Sequence, residues 1–222
     1  MMETSLHRSL KGMYAASEAD TEVRLGDYRI DAIRGDELIE IQFASLSAIR
    51  PKIQSLLQRH DVRIVKPIIN RRRIVRQATA EGPVLGRRLS PKRGALLEIF
   101  DELIYFTRVF PHPRLTIEVP MVNVQHWRLP PDRRKRRRCG KDYKTKDYVL
   151  ESIESTHEFR TTKDLLNLIG SDHLPHPFDT AELAGHIACP RGTAQQIAYC
   201  LRQTGAVDTC GKRGNAILYR AA

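Results

Sequence analysis

The segment Tyr28-Arg-Ile-Asp31-Ala-Ile-Arg-Gly35-Asp36-Glu-Leu-Ile-Glu40-Ile-Gln42 constrains the fold more than any other part of the 222-residue chain. Apolar residues alternate at Ile30 and Ala32, then at Leu38 or Ile39 and Ile41, on either side of Gly35-Asp36. That period of two, broken by a glycine-containing turn, predicts two short strands in an antiparallel pair. Side chains two apart on a strand project together, so Glu40 and Gln42 share a face, and an antiparallel partner brings Asp31 beside them. Two carboxylates and an amide at this spacing suit a hard cation such as Mg²⁺, with Mn²⁺ as a substitute.

The flanking sequence extends the pattern. Residues 3–16 have helical spacing, with Leu6, Leu10, Met13 and Tyr14 on one face. Residues 22–25, 28–34 and 37–43 then predict a three-strand meander with turns at Gly26-Asp27 and Gly35-Asp36. A helix follows, capped by Ser45 or Ser47, with Ile49, Ile53, Leu56 and Leu57 on its apolar face and Pro51 in its first turn. Residues 62–69 read as one short apolar strand.

Asp31 with Glu40-Ile-Gln42, set in the order helix, three strands, helix, strand, resembles the PD-(D/E)xK nuclease superfamily, with glutamine where lysine is usual. The likeness covers residues 1–70 and is strongest to the Holliday-junction-resolvase-like branch. It implies a restriction-endonuclease-like α/β core of order α-β-β-β-α-β and metal-dependent cleavage of DNA phosphodiester bonds, with branched or structured DNA as the analogous substrate. It also implies a dimer. Asp31 and Glu40 would be metal ligands and catalytic residues, joined by a glutamate from the first helix. Glu3 is the natural candidate, with Glu18 and Glu22 as alternatives. Gln42 brings no positive charge, so a lysine from elsewhere is expected. Lys52 in the following helix is the first choice and Lys11 the second.

Charge points to the partner. The chain carries a formal net charge of +11, and its first 60 residues are nearly balanced. The excess lies in Arg71, Arg72 and Arg73, in Arg87-Arg88 and Lys92-Arg93, and in the run Arg133, Arg134, Lys135, Arg136, Arg137 and Arg138. Such blocks neutralise phosphate backbones and make nucleic acid, DNA above RNA, the expected partner. No apolar run approaches the ~20 residues that span a bilayer. The start Met1-Met-Glu-Thr-Ser lacks a signal-peptide plan. Four scattered cysteines without a CxxC pair argue against a zinc ribbon or a disulfide scaffold. A cytoplasmic protein without membrane association is expected.

Residues 70–93 are basic and rich in turn formers, 95–106 return to helical spacing, and 114–129 contain a strand pattern expected at a sheet edge. These complete a nuclease-like domain over 1–129, followed by a basic linker over 130–160. The last third has different grammar. Thr161 with Asp164 and Asp179 with Glu182 have the spacing of helix caps, a third helix covers Thr193–Arg202, and a hairpin surrounds Gly211-Lys212-Arg213-Gly214. Three helices and a hairpin with a basic tip resemble a winged helix-turn-helix over 161–222. The resemblance implies that Thr193, Gln195, Gln196 and Arg202 face bases while Lys212 and Arg213 lie near phosphate. A nucleic-acid-binding regulator or adaptor with a degenerate nuclease fold is the competing reading.

Overall fold

A computed structural model describes residues 4–131 and 142–222. It bears out the α/β class: helices accompany a large mixed sheet. The N-terminal helix α1, Ser5–Tyr14, begins one residue after Thr4, whose side chain accepts from the His7 amide. Its buried stripe is Leu6, Leu10 and Tyr14, spaced four apart. Met13, expected on that stripe, is 56% exposed, because the buried arc runs from Leu6 through Leu10 and Tyr14 to Lys11 and leaves Met13 beyond its edge. The first helical amide, that of Ser5, donates to Asp147 Oδ1 at 2.9 Å, satisfying a group that a helix start otherwise leaves to solvent.

Strands β1 (Thr21–Leu25), β2 (Tyr28–Arg34) and β3 (Glu37–Ile41) form the expected antiparallel meander. Gly35 takes the turn at φ 60°, a conformation costly to any side chain with a Cβ. The predicted second helix starts as a single 3-10 turn, Leu46–Ile49, capped by Ser45, and continues as α2, Arg50–Leu56, with Pro51 at its first turn. The expected strand over 62–69 is instead two strands. β4 is Asp61–Val65 and β5 is Ile68–Gln77, because Pro67 has no N–H to continue a ladder.

The basic stretch beyond residue 70, expected as turns, is a hairpin of β5 with β6, Val84–Leu89. Helix α3 is only Ile99–Leu103. Strand β7, Leu115–Leu129, is a central strand and not the expected edge, running parallel to β5. The expected linker contains β8, Lys144–Phe159, which pairs with β7; a charged but alternating segment has become sheet. The strand order is β1-β2-β3-β4-β7-β5-β6.

Two compact units result, each discontinuous in sequence. The first comprises residues 1–43, 65–96 and 119–157. Its core joins Leu6, Leu10 and Tyr14 of α1 to Ala32, Ile39, Ile41, Val65, Val122 and Val124 of the sheet. Each such buried aliphatic side chain contributes about 1.5–3 kcal/mol.

The second comprises residues 44–64, 97–118 and 158–222. The division therefore differs from cuts at 129 and 161. In this unit α4 (Thr162–Leu168), α5 (Thr180–His186) and α6 (Arg191–Gln203) precede a hairpin of β9 (Val207–Arg213) and β10 (Ala216–Ala221). Both predicted caps form as capping boxes, Thr161 with Asp164 and Asp179 with Glu182. Phe178 and Tyr219 exchange two backbone hydrogen bonds, an isolated bridge on the side of the two-stranded hairpin. Helix α6 packs on α3: Gln196 Nε2 donates to Phe100 O at 3.1 Å and to Asp101 Oδ1 at 2.9 Å. No described helix is long and apolar enough to cross a membrane.

Candidate functional site and basic surfaces

Asp31 lies where β2 and β3 stop pairing through backbone alone. The register runs from Arg34 opposite Glu37 to Ala32 opposite Ile39. One step further, the Ile41 amide donates to Asp31 Oδ2 at 2.9 Å, so the carboxylate takes a place at the end of the ladder. His7 and Lys11, four apart on α1, meet it from the helix. His7 Nε2 is 3.4 Å from Oδ2 and Lys11 Nζ is 3.5 Å from Oδ1. Burial raises the Asp31 pKa, but His7, the Ile41 amide and Lys11 together outweigh it and hold the carboxyl below its ordinary range.

Lys11, only 7% exposed, also donates to Glu22 Oε1 at 2.6 Å. Glu22 is contacted in turn by Arg29, and these two cations depress its pKa. Its backbone sits at φ 55°, a left-handed conformation rare for a residue with a long side chain. Residues held there against their preference cluster at functional sites. A cavity of about 500 Å³ opens on Lys11 and Glu22.

Glu40 is 5% exposed in a strand whose Leu38, Ile39 and Ile41 are also buried. Alternation puts Glu40 on the opposite side of β3 from Ile39 and Ile41, which pack under α1. Among the described residues no three His, Cys, Asp or Glu side chains come together as a metal-ligand group. The expected ligand Glu3 lies outside the described residues, and its alternative Glu22 accepts from Lys11 of α1. Gln42 is half-buried, and its amide donates to Val65 O at 2.9 Å.

Lys66 directly follows Val65. It is 5% exposed, and its ammonium donates to Phe43 O at 3.1 Å, one residue beyond Gln42. Buried lysine is rare and needs oxygen partners, which makes Lys66 a candidate that sequence reading missed. Its only signal was a lysine closing the apolar run Val62–Val65 before proline. The expected catalytic lysine, Lys52, is half-buried on α2 in the second unit.

The arginine block 71–73 does not form one solvated patch, because a strand sends successive residues to opposite faces. Arg72 lies over the Tyr148 ring at 5.9 Å, whereas Arg73 Nε pairs with Glu151 at 2.9 Å; Arg71 is half-buried. The run Arg133–Arg138 lies outside the described residues. Pro131 and Asp142, which flank the segment containing it, both line a cleft with Arg76, Arg88, Arg128 and Tyr143.

On α6, Arg191, Gln195, Tyr199 and Arg202 are exposed at spacings of four, four and three, one continuous stripe. Gln195 and Arg202 are the expected members; Arg191 falls in the expected turn before the helix, and Tyr199, inside the expected helix, is not among its expected base-facing residues. Thr193 is half-buried. Gln196 does not face outward, since its amide is engaged by Phe100 and Asp101. Lys212 is exposed at the hairpin. Arg213, expected near phosphate, bonds Glu182 at 2.9 and 3.2 Å instead. That bond lowers the Glu182 pKa and raises that of Arg213.

Residues 4–160 match the family described as "Domain of unknown function (DUF8091)". A relative printed as "Uncharacterized protein", from Treponema pallidum (strain Nichols), is 29% identical over 222 residues, covering 98% of this chain and 85% of its own. No solved structure matches the chain.

Proposed function

This chain belongs to the DUF8091 family, and we propose that it is a metal-dependent DNA endonuclease whose C-terminal helices and hairpin act as a winged helix-turn-helix. The observation that carries the reading is Asp31, an ionised carboxylate at the end of the β2–β3 ladder, faced by His7 and Lys11. The order α1, β1, β2, β3, α2, β4 fits the restriction-endonuclease-like core that the sequence resembles.

Asp31 would hold Mg²⁺ or Mn²⁺, with Glu40 of the neighbouring strand included on the sequence resemblance alone. Oxygen donors alone suit such a cation, and the depressed pKa of Asp31 keeps its carboxylate charged at neutral pH. The bound cation would generate the nucleophile from water and polarise the scissile phosphate. Hydrolysis adds water across the P–O bond and leaves a phosphate monoester and an alcohol. Gln42 orients water through its amide. Lys11, beside Asp31, supplies the positive charge that glutamine lacks, stabilising charge that grows on phosphate oxygens. The exposed stripe of α6, with Lys212 beside it on the hairpin, would hold duplex by its major groove and backbone. Branched DNA, a dimer and a cytoplasmic site of action follow from family analogy alone.

A binding-only regulator is the second reading. It is favoured by the exposed basic stripe of α6, which needs no metal to meet phosphate. Incubation with Mg²⁺ or Mn²⁺ and linear, nicked, flapped and four-way DNA separates the two. Cleavage that is lost in Asp31→Ala and Glu40→Gln, with binding kept within twofold, supports the enzyme. Binding without cleavage of any substrate establishes the regulator, and normal cleavage by both variants would show the site to be misassigned.

A further inference from the structure

We propose that the cleft beside Arg128 binds single-stranded nucleic acid one nucleotide deep, as a subsite separate from the Asp31 centre. The proposal deepens the nucleic-acid reading above and rests on it. Strand register constructs the cleft. Arg76 of β5 is opposite Arg128 of β7 and Gly86 of β6, while Ile74 is opposite His126 and Arg88. Ile74 and Arg76 are two apart, so these rows share one face of the sheet, and three arginines converge there. Gly86, level with Arg76, borders open space: a side chain there would meet nothing within 4 Å. The volume is about 400 Å³, the size of small-ligand sites.

Arg128 is held rigidly. Its guanidinium lies 3.6 Å over the Tyr143 ring, and its Nε donates to His126 Nδ1 at 3.1 Å. His126 is buried and stacks on Tyr148 at 4.4 Å, with its Nε2 2.9 Å from Thr145 Oγ1. An Nδ1 that accepts leaves Nε2 as the N–H, so His126 is neutral and adds no charge. Burial, Arg72 and Arg88 act together to lower the Arg128 pKa, partly offset by Tyr143 and Tyr148. Among the described residues none of Arg76, Arg88 and Arg128 is paired with a carboxylate, and Asp142 is the single acidic residue of the lining. Three arginines against one carboxylate in the lining suit an anion.

The rest of the lining says which anion. Ile74, Leu85, Leu129 and Pro130 give an apolar wall beside the Arg128–Tyr143 stack. A planar base fits that wall and stack, and its phosphate fits Arg76 and Arg88 at the rim. Duplex DNA buries its base faces in its own stack, so only an unpaired strand offers both groups.

The test is fluorescence anisotropy of labelled twelve-residue oligo(dT) and of a duplex, on the full chain in EDTA so that cleavage plays no part. Arg76→Glu with Arg88→Glu should weaken oligo(dT) binding roughly tenfold or more and reduce the salt slope by about 1.4, with duplex binding changed less than twofold. Leu85→Glu, which puts a carboxylate on the apolar wall and removes no arginine, should weaken oligo(dT) binding as well. Unchanged oligo(dT) affinity in both variants, with duplex bound normally, overturns the cleft alone. Failure to bind either nucleic acid overturns the wider reading too. Thymidine monophosphate that competes as well as oligo(dT) would make the ligand a free nucleotide and overturn the strand assignment.

Discussion

Lys11 Nζ lies 3.5 Å from Asp31 Oδ1 and 2.6 Å from Glu22 Oε1, so one buried ammonium joins the first helix to two strands of the meander. Where the nuclease pattern has glutamine at residue 42, this cation stands on the helix side of the same carboxylate. Lys11→Met should lower single-turnover cleavage about 100-fold, the scale of losing one preorganised donor to a developing charge. Lys11→Arg should retain more activity than Lys11→Met. Equal activity in wild type and Lys11→Met would leave the lysine a structural role only.

Acid should destabilise the protein in a defined window. Asp31, Glu158 and Asp164 all have folded pKa values below their ordinary ones. Each therefore contributes stability above its unfolded pKa, roughly 3.9–4.3, and loses it as pH falls through the lower folded value. The urea midpoint should hold from pH 7 to 5 and fall below about pH 4. Asp31→Asn should flatten part of that fall; an unaltered acid limb would mean that the His7 and Lys11 contacts are energetically silent.

A second ion group is buried in the other unit, where Arg63 bonds both Glu118 and Glu158. Arg63 and Glu118 are 6% and 7% exposed. Glu118→Ala removes one partner from a desolvated guanidinium and should cost about 3–5 kcal/mol in chemical denaturation. Paired replacement by apolar residues of like volume, Arg63→Met with Glu118→Leu, should recover much of that loss. A single mutant as stable as wild type would contradict a buried pair.

On α6 the exposed stripe and the packed side should separate in assays. Arg191→Ala with Arg202→Ala should weaken duplex binding at all sequences and reduce the salt slope by about 2. Gln196→Ala should leave DNA affinity intact and cost about 1 kcal/mol of stability, since its amide holds Phe100 and Asp101. The reverse assignment of effects would turn the helix over.

Cys200 is fully buried, and desolvation, with Asp101 nearby, pushes its thiol up to about 12. Iodoacetamide at pH 8 should therefore label the exposed Cys210 and spare Cys200 in the native protein, with both labelled in urea. Mass spectrometry of digests reads the difference. Rapid native labelling of Cys200 would show that α6 separates from α3.

Local patterns were legible where chemistry is local. The meander, the Ser45 and Pro51 helix start and the capping boxes at Thr161 and Asp179 each depend on residues within a few positions of one another. What the sequence alone determined was an α/β chain with Asp31 and Glu40 on adjacent strands and an excess of positive charge. The tertiary structure decided which charges remain available. Arg73, Gln196 and Arg213 looked like contacts for nucleic acid, yet each is engaged by the protein, because Glu151, Asp101 and Glu182 lie 78, 95 and 31 residues away in sequence. Arg88 stood out only as one of a basic pair and Arg76 and Arg128 not at all, yet the three share one cleft through a sheet register that no short stretch encodes. Lys11 and Lys66 show the same limit. An ammonium and its partner meet within a few ångströms, and only the packing of α1 and the path of β4 bring those atoms close.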